Sequence, residues 1–401
     1  MGTKKFKVVI LGGGTGGLSV AARLNKFCRK SEIAIVEPSE QHYYQPLWTL
    51  VGAGLVAKEK TERRESALVS KGNVLIRASV ERVAADRNEV LLANGDTLSY
   101  EVLVVATGLR LAWERIEGIE TLGRNGVCSI YDYAQVDYAA KCIQEFKGGK
   151  AIFTMPPVPI KCAGAPQKIM YLAENVFRDP GVRSKSEISY ATAGKAMFGV
   201  PVFSEALTKI VKERGIAPLY QHKLLAIDGA KRTATFAVAN EQGTANVTRE
   251  FDLLHVVPPM CAHEYVDKSE LAFKEGDQKG WLAVDKFTLQ HVKYANVFGV
   301  GDVTGVPNSK TGAAIRKQAP VVAQNIRSVL SGQSLTANYD GYASCPLVTE
   351  IGKVMLAEFG YDGKLMPSFP MDPTVPRRSM WHLKKDFLPI LYWQGMLKGH
   401  A

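Results

Sequence analysis

The chain has 401 residues, 46% apolar and 22% charged, with 36 Gly and 19 Pro, which excludes a disordered or collagen-like polymer and predicts two or three domains. Its 50 Lys and Arg against 39 Asp and Glu leave a formal charge of +11, favouring an anionic neighbour: nucleic acid, an acidic membrane surface or an anionic substrate. No apolar run approaches the ~20 residues of a spanning helix. The opening MGTKKFK leads straight into an apolar strand, so the expectation is a cytosolic chain or a mature form whose targeting segment is missing.

In chain order, FKVVIL (6–11) predicts a buried strand, GGGTGG a tight loop, LSVAARLNKFCRK a helix carrying Cys28, and EIAIVEP a second strand. Gly12, Gly14 and Gly17 form GxGxxG, and Glu37 ends the second strand at the spacing expected of a ribose ligand. The glycines permit a tight turn and close backbone approach, and a pyrophosphate can sit at the helix start. EVLVVATGLR (101–110) is a strand ending in Ala-Thr-Gly, with Thr107 and Gly108, and VFGVGDVTG (297–305) is a strand ending in Gly301-Asp302. The three segments together resemble the FAD signature of flavoproteins with two dinucleotide-binding domains. That resemblance implies FAD as cofactor, Asp302 on its ribityl chain, and the following helix facing its pyrimidine.

A second glycine loop is expected after the strand AIFTM (151–155), but PPVPIKCAGAPQK stands there. Proline lacks the amide hydrogen a phosphate cradle uses, so nicotinamide binding is predicted to be lost. The predicted fold class is α/β: two Rossmann-like dinucleotide-binding domains, as in flavoprotein disulfide reductases, plus a C-terminal membrane-associating segment. The FAD domain spans 1–110 and 290–340, the second domain 111–289, and the quinone and membrane segment 341–401.

Six cysteines (28, 128, 142, 162, 261 and 345) form no CxxC pair and no Cys/His cluster with zinc spacing, so no metal site is predicted. Cys28 and Cys142, each in a helical pattern, read as small buried hydrophobes. Cys162 precedes the helical pattern APQKIMYLAENVFRD, with Lys161 and Lys168 close in sequence, and a helix start plus cations favours the thiolate. The alternative is a half-buried loop cysteine. Cys345 lies between a turn and an apolar strand pattern, and nothing in the spacing says that it meets Cys162.

The stretches IVEPSEQHYYQPLWTLVGAG (35–54), PIKCAGAPQKIMYL (159–172), NVFGVGD (296–302), SKTGAA (309–314), CPLVTE (345–350) and LPILYW (388–393) together resemble sulfide:quinone oxidoreductases, specifically the branch that includes the mitochondrial enzymes. The match runs over nearly the whole chain. It implies a disulfide between Cys162 and Cys345 on one face of the flavin, attacked by hydrogen sulfide at Cys345. The persulfide stays there while the thiolate of Cys162 adds to the flavin. A small acceptor such as sulfite, glutathione or coenzyme A then takes the outer sulfur, and a membrane quinone, ubiquinone or menaquinone, takes two electrons. Cys128, in NGVCSIYDY, is similar to a third cysteine of many bacterial members linked to the sulfur path or to flavin attachment; a structural cysteine is the other reading.

By the same resemblance Lys310 and Thr311 lie near the flavin, where a cation stabilises the reduced form, and Lys168 and Lys384 flank the acceptor entrance. The plain alternatives are a solvated Lys310 and a Lys384 on a charged helix face. The seven histidines show no ligand spacing and none is assigned. The implied place is a peripheral membrane one, at the mitochondrial inner membrane in a eukaryote or the plasma membrane in a bacterium, with no nucleic acid as partner. The competing readings are a type II NADH:quinone dehydrogenase-like flavoenzyme, a disulfide reductase, and a non-catalytic basic FAD-binding membrane-interaction protein. The tail, PRRSMWHLKKDFLPILYWQGMLKGHA (376–401), carries Arg377, Arg378, Lys384, Lys385 and Lys398 against the single acid Asp386. Pro389 suits a helix start, so the tail reads as two short amphipathic helices, docked on the core or anchoring the protein to lipid. On the anchor reading, its removal leaves sulfide reduction of FAD intact.

Overall fold

The computed structural model describes residues 3–241 and 243–401. The FKVVIL run ends β1 (Thr3–Leu11), where Val8 to Leu11 are wholly buried, as expected of a central parallel strand covered on both faces. It leads through the glycine loop into α1 (Thr15–Leu24) and on to β2 (Ile33–Val36), β3 (Val74–Ile76), β4 (Val80–Ala84), β5 (Glu89–Leu92) and β6 (Thr97–Val105). The parallel order is β3-β2-β1-β6, and β5 and β4 continue it antiparallel. The predicted first helix is too long. Lys26 and Phe27 turn to bonds three residues back, so Cys28 falls in the following turn, half-buried.

A second parallel sheet follows, built from β7 (Val127–Cys128), β8 (Gly149–Met155), β9 (Ser186–Thr192) and β10 (Ile216–Leu219). Its crossing helices are α2 (Val136–Gln144), α3 (Ala165–Val176) and α4 (Pro201–Glu213). The hairpin strands β11 (His222–Asp228), β12 (Thr233–Asn240) and β13 (Gly243–Glu250) form a separate antiparallel sheet, after which β14 (Leu253–His255) enters the parallel one to give β7-β14-β8-β9-β10.

The chain then returns to the first sheet. Strand β15 (Val297–Gly299) pairs in parallel with the last residues of β6, and α5 (Gly312–Leu330) packs against α1. The hairpin β16 (Ala343–Glu350) and β17 (Lys353–Phe359) lies against α3. Strand β16 is therefore carried onto the start of the helix that follows Cys162.

The tail is helical from residue 378 to 398 without the break expected at Pro389. Two π-helical turns, Leu383–Phe387 and Leu391–Gly395, flank the proline, and such widened turns absorb the missing amide and the ring without ending the helix. No described helix is long and apolar enough to cross a membrane.

Candidate active site

The three glycines of the first motif do three separate things. Gly12 has φ +99°, and a Cβ there would lie 2.6 Å from the Ala106 carbonyl oxygen. At Gly17 a Cβ would stand 1.9 Å from the Gly12 oxygen, so this glycine sets the approach of helix to strand. Gly14, the N-cap of α1, has no heavy atom within 4 Å of its would-be Cβ. The space in front of it belongs to a cavity of about 580 Å³, whose wall also includes Glu37, Thr107, Gly108, Gly301 and Asp302.

The Glu37 carboxylate is held by the amides of Gly13 and Ser39, each at 2.8 Å, and still faces the cavity. Gly108 (φ +67°) and Gly301 (φ +80°) make the turns at the ends of β6 and β15. An open helix start beside a fixed carboxylate, closed by two further glycine turns, fits a dinucleotide with its pyrophosphate on the amides and its ribose on Glu37.

Cys162 and Lys168 also line this cavity, and Cys345 is buried behind its wall between the lining residues Ser344 and Pro346. Cys162 and Cys345 place their Sγ atoms 3.8 Å apart although 183 positions separate them. The Cys162 amide bonds the Lys310 carbonyl at 2.8 Å, tying the cysteine loop to the SKT segment, and Cys162 takes φ +50°. That left-handed conformation is unfavourable for a side chain with a Cβ and is held by the surrounding bonds. Gly164 makes room for the partner: a Cβ there would meet the Cys345 Sγ at 2.4 Å.

Lys168, in the first turn of α3, is only 3% exposed and donates to the Cys162 Sγ at 3.1 Å. The hydrogen bond from the Cys345 thiol, aided by the Lys168 and Lys384 cations, holds the Cys162 thiol well below its ordinary range; the same bond pushes the Cys345 thiol well above it. In the dithiol, the anion therefore resides on Cys162.

Lys161 departs from expectation: it donates to the Gln45 side chain at 2.7 Å rather than to either sulfur. Lys168 and Lys384 both line the cavity and are each 3% exposed. Lys384 donates to the Pro46 carbonyl at 2.8 Å, and burial together with the Lys168 cation pushes it down to about 7. Lys310 is not a solvated lysine either. Its Nζ donates to the carbonyls of Asp302 (2.7 Å) and Thr304 (2.9 Å) and lies over the Trp281 ring, and burial pushes it down to about 8. Thr311 caps α5, its hydroxyl accepting from the Ala314 amide.

Cys128 is not brought to the pair. It is wholly buried, and Ile130 and Tyr131, two and three residues on, form the cavity wall instead. A hydrogen bond with Cys142 and burial push its thiol up. A neutral, buried thiol facing another cysteine suits neither a sulfur path nor flavin attachment.

Sequence reasoning missed one constellation. His42 Nδ1 lies 2.9 Å from Glu65 Oε2, His42 Nε2 lies 2.5 Å from the Tyr392 hydroxyl, and that hydroxyl shares a 2.8 Å hydrogen bond with Thr15 in the first turn of α1. Glu65, His42 and Tyr392 are all buried, and burial pushes the Glu65 carboxyl up. The tail thus forms part of the cradle wall through Tyr392. Its partners lie 350 and 377 positions away, a pairing that no local spacing announces.

A family profile described as pyridine nucleotide-disulphide oxidoreductase matches residues 6–141. The mitochondrial sulfide:quinone oxidoreductase of Dictyostelium discoideum is 44% identical over 98% of this chain and 86% of its own length. That of Mus musculus is 40% identical over 98% of this chain and 87% of its length. The crystal structure of the sulfide:quinone oxidoreductase from Aquifex aeolicus superposes with a TM-score of 0.81 over 100% of this chain and 93% of that one, at 20% identity, a likeness of fold. FAD is the cofactor. With 40–44% identity sustained along nearly the whole chain, the protein belongs to the sulfide:quinone oxidoreductase family, in the branch that includes the mitochondrial enzymes.

Proposed function

We propose that this protein oxidises hydrogen sulfide at a Cys162–Cys345 disulfide, hands the sulfane sulfur to a small anionic acceptor, and reduces a membrane quinone. Membership of the family carries the coupling of sulfide oxidation to quinone reduction. The observation that carries the cysteine assignment is the 3.8 Å approach of the two sulfurs beside the Lys168 ammonium, with Cys162 and Lys168 lining the cavity that the dinucleotide cradle also lines.

The asymmetry of the pair sets the direction of attack. Hydrosulfide attacks the Cys345 Sγ of the disulfide, the S–S bond breaks, and its electron pair leaves on the Cys162 Sγ. The lower the pKa of the leaving thiol, the faster it leaves, and Cys162 is the stabilised anion. Cys345 then carries the persulfide. A nucleophilic acceptor such as sulfite, glutathione or coenzyme A removes the outer sulfur, and loss of two electrons from the dithiol reforms the disulfide. FAD supplies the two-electron relay from sulfur to quinone. Lys168 and Lys384 compensate the negative charge of thiolate and acceptor inside the cavity.

The cavity wall also includes Pro346, Leu356, Phe369 and the tail residues Leu383, Phe387 and Leu388, together with the polar Arg316, Ser344, Glu358 and Ser368. The apolar part of this wall suits a quinone that resides in a bilayer. Phe387 and Ile390, 53% and 60% exposed, stand out from the tail beside it, which supports peripheral attachment to a membrane.

Anaerobic mixing tests the reading. Sulfide alone is expected to bleach the flavin, and the colour returns on adding a quinone. NADH and NADPH are expected to leave the flavin oxidised on the same timescale, because PPVPIKCAG occupies the place of a second phosphate loop. Rapid bleaching by NADH with none by sulfide would move the protein to the NADH dehydrogenase class.

Lys384 gives a pH signature. Because it titrates at about 7, it is cationic at pH 6 and largely neutral at pH 8, so attraction for an anionic acceptor weakens as pH rises. Lys384→Arg stays charged throughout. The ratio of acceptor KM between wild type and Lys384→Arg, which cancels titration of the acceptor itself, is expected to rise severalfold from pH 6 to 8. A constant ratio would remove Lys384 from acceptor binding.

A further inference from the structure

The tail helix has two lined faces. Residues 383, 384, 387, 388 and 391 wall the central cavity, whereas 385, 386, 389, 390, 393 and 394 wall a separate outer groove of about 880 Å³. The opposite wall of that groove is the segment 54–63. Its lining divides by chemistry. Leu55, Val56, Pro389, Ile390 and Trp393 are apolar, and Lys60, Arg63 and Lys385 are cationic.

None of these three cations has a carboxylate partner among the described residues. The Arg63 guanidinium lies over the Trp393 ring at 4.3 Å, leaving its edge free. The one acid in the groove, Asp386, is taken by His382 Nδ1 at 2.8 Å. The neighbouring Lys58, by contrast, is paired with Asp137. Three unpaired cations around an apolar floor, with Phe387 and Ile390 projecting beside it, form a site that is complementary to an amphiphile with an anionic head.

The geometry points to a phospholipid site: the phosphate of an anionic lipid headgroup lies between Lys60, Arg63 and Lys385, and its acyl chains run along Ile390 and Phe387. This rests on the membrane attachment proposed above and gives that attachment a defined headgroup contact. Because the same helix turns its other face to the central cavity, a lipid held in the groove fixes the cavity mouth against the bilayer, where the quinone enters. Trp393 links the two sides, since its ring also packs edge-on against His42 at 5.8 Å.

Removing the tail would not test this, because Tyr392, Trp393, Met396 and Leu397 are buried and Tyr392 bonds the cradle. The full-length holoenzyme with Lys60→Gln, Arg63→Gln and Lys385→Gln is the appropriate variant, matched against Lys209→Gln, Lys212→Gln and Lys223→Gln, exposed lysines of α4 and β11. Co-sedimentation uses vesicles of phosphatidylcholine alone and vesicles containing one-third phosphatidylglycerol or cardiolipin, at about 0.1 M salt. Wild type and the matched control are expected to bind the anionic vesicles with similar affinity. The groove variant is expected to bind them at least tenfold more weakly. Sulfide bleaching of its flavin should be unchanged.

Equal loss in the groove variant and the control would show that diffuse charge, not the groove, does the binding, and would overturn the site. So would undiminished binding by the groove variant. Failure of wild type to bind any vesicle would instead overturn the membrane reading on which the site rests. Competition by inorganic phosphate at millimolar concentration, with no gain from an acyl chain in a short-chain phosphatidic acid, would make the groove a free-phosphate site.

Discussion

Cys162→Ser and Cys345→Ser are each expected to retain FAD and to lose sulfide turnover by about three orders of magnitude or more, since neither can form the disulfide that sulfide attacks. The two variants should nonetheless differ. Lys168 is buried and its charge is compensated by the Cys162 sulfur at 3.1 Å, so Cys162→Ser leaves an ammonium facing a neutral hydroxyl. Uncompensated buried charge is costly, and Cys162→Ser should lower thermal stability more than Cys345→Ser. The thiolate supplies a second measure. In the reduced wild type its ultraviolet absorbance should persist well below the usual thiol range, because the Cys345 hydrogen bond and the two lysines hold Cys162 down. Cys345→Ala removes the largest of these influences, so its thiolate should appear only at higher pH. Near-normal turnover in either Ser variant would remove the pair from the mechanism. A thiolate that does not move in Cys345→Ala would uncouple the two sulfurs.

The cradle was legible in the sequence because its work is done by backbone. A glycine loop between an apolar strand and a helix fixes where the chain turns and where amides are left open, and both are local. The helix start behind Cys162 was legible for the same reason, and its cation could be anticipated because Lys168 is six residues on, in the first turn of that helix. Lys161 misled because the next residue takes a left-handed conformation that turns the loop. Cys345 could be placed opposite Cys162 only by resemblance: the pairing depends on β16 packing on α3, and residue patterns within either element do not specify which surfaces meet. Lys384 illustrates the limit differently. It sits in a run, HLKKDF, that has the charge pattern of a solvated face, yet Lys384 faces the cavity while its neighbour Lys385 faces the outer groove. Direction around a helix decides this. The π-helical turns beside Pro389 shift that direction in a way no ideal periodicity predicts.

Gly14→Val is expected to give a folded protein without flavin, which separates it from substitutions at the other two glycines of the motif. A side chain at Gly17 collides with the Gly12 carbonyl whether or not a cofactor is present, and one at Gly12 meets Ala106 in a left-handed backbone. Both should therefore destabilise the apoprotein itself, by at least the 1–3 kcal/mol typical of overpacking, that is, about 1 kcal/mol or more. Gly14 is different: its φ of −66° suits any L-residue and its Cβ would point into open cavity. Valine there costs the polypeptide little and occupies the space in which the pyrophosphate must meet the start of α1. Melting temperature with and without added FAD reads the distinction directly. Apo wild type and apo Gly14→Val should melt within a degree or two of one another. Added FAD should raise the first by ligand linkage and leave the second unmoved, and Gly17→Ala should melt below both before any cofactor is added. Full yellow colour in purified Gly14→Val would show that the dinucleotide does not approach α1 there, and the cradle would have to be sought elsewhere along the cavity.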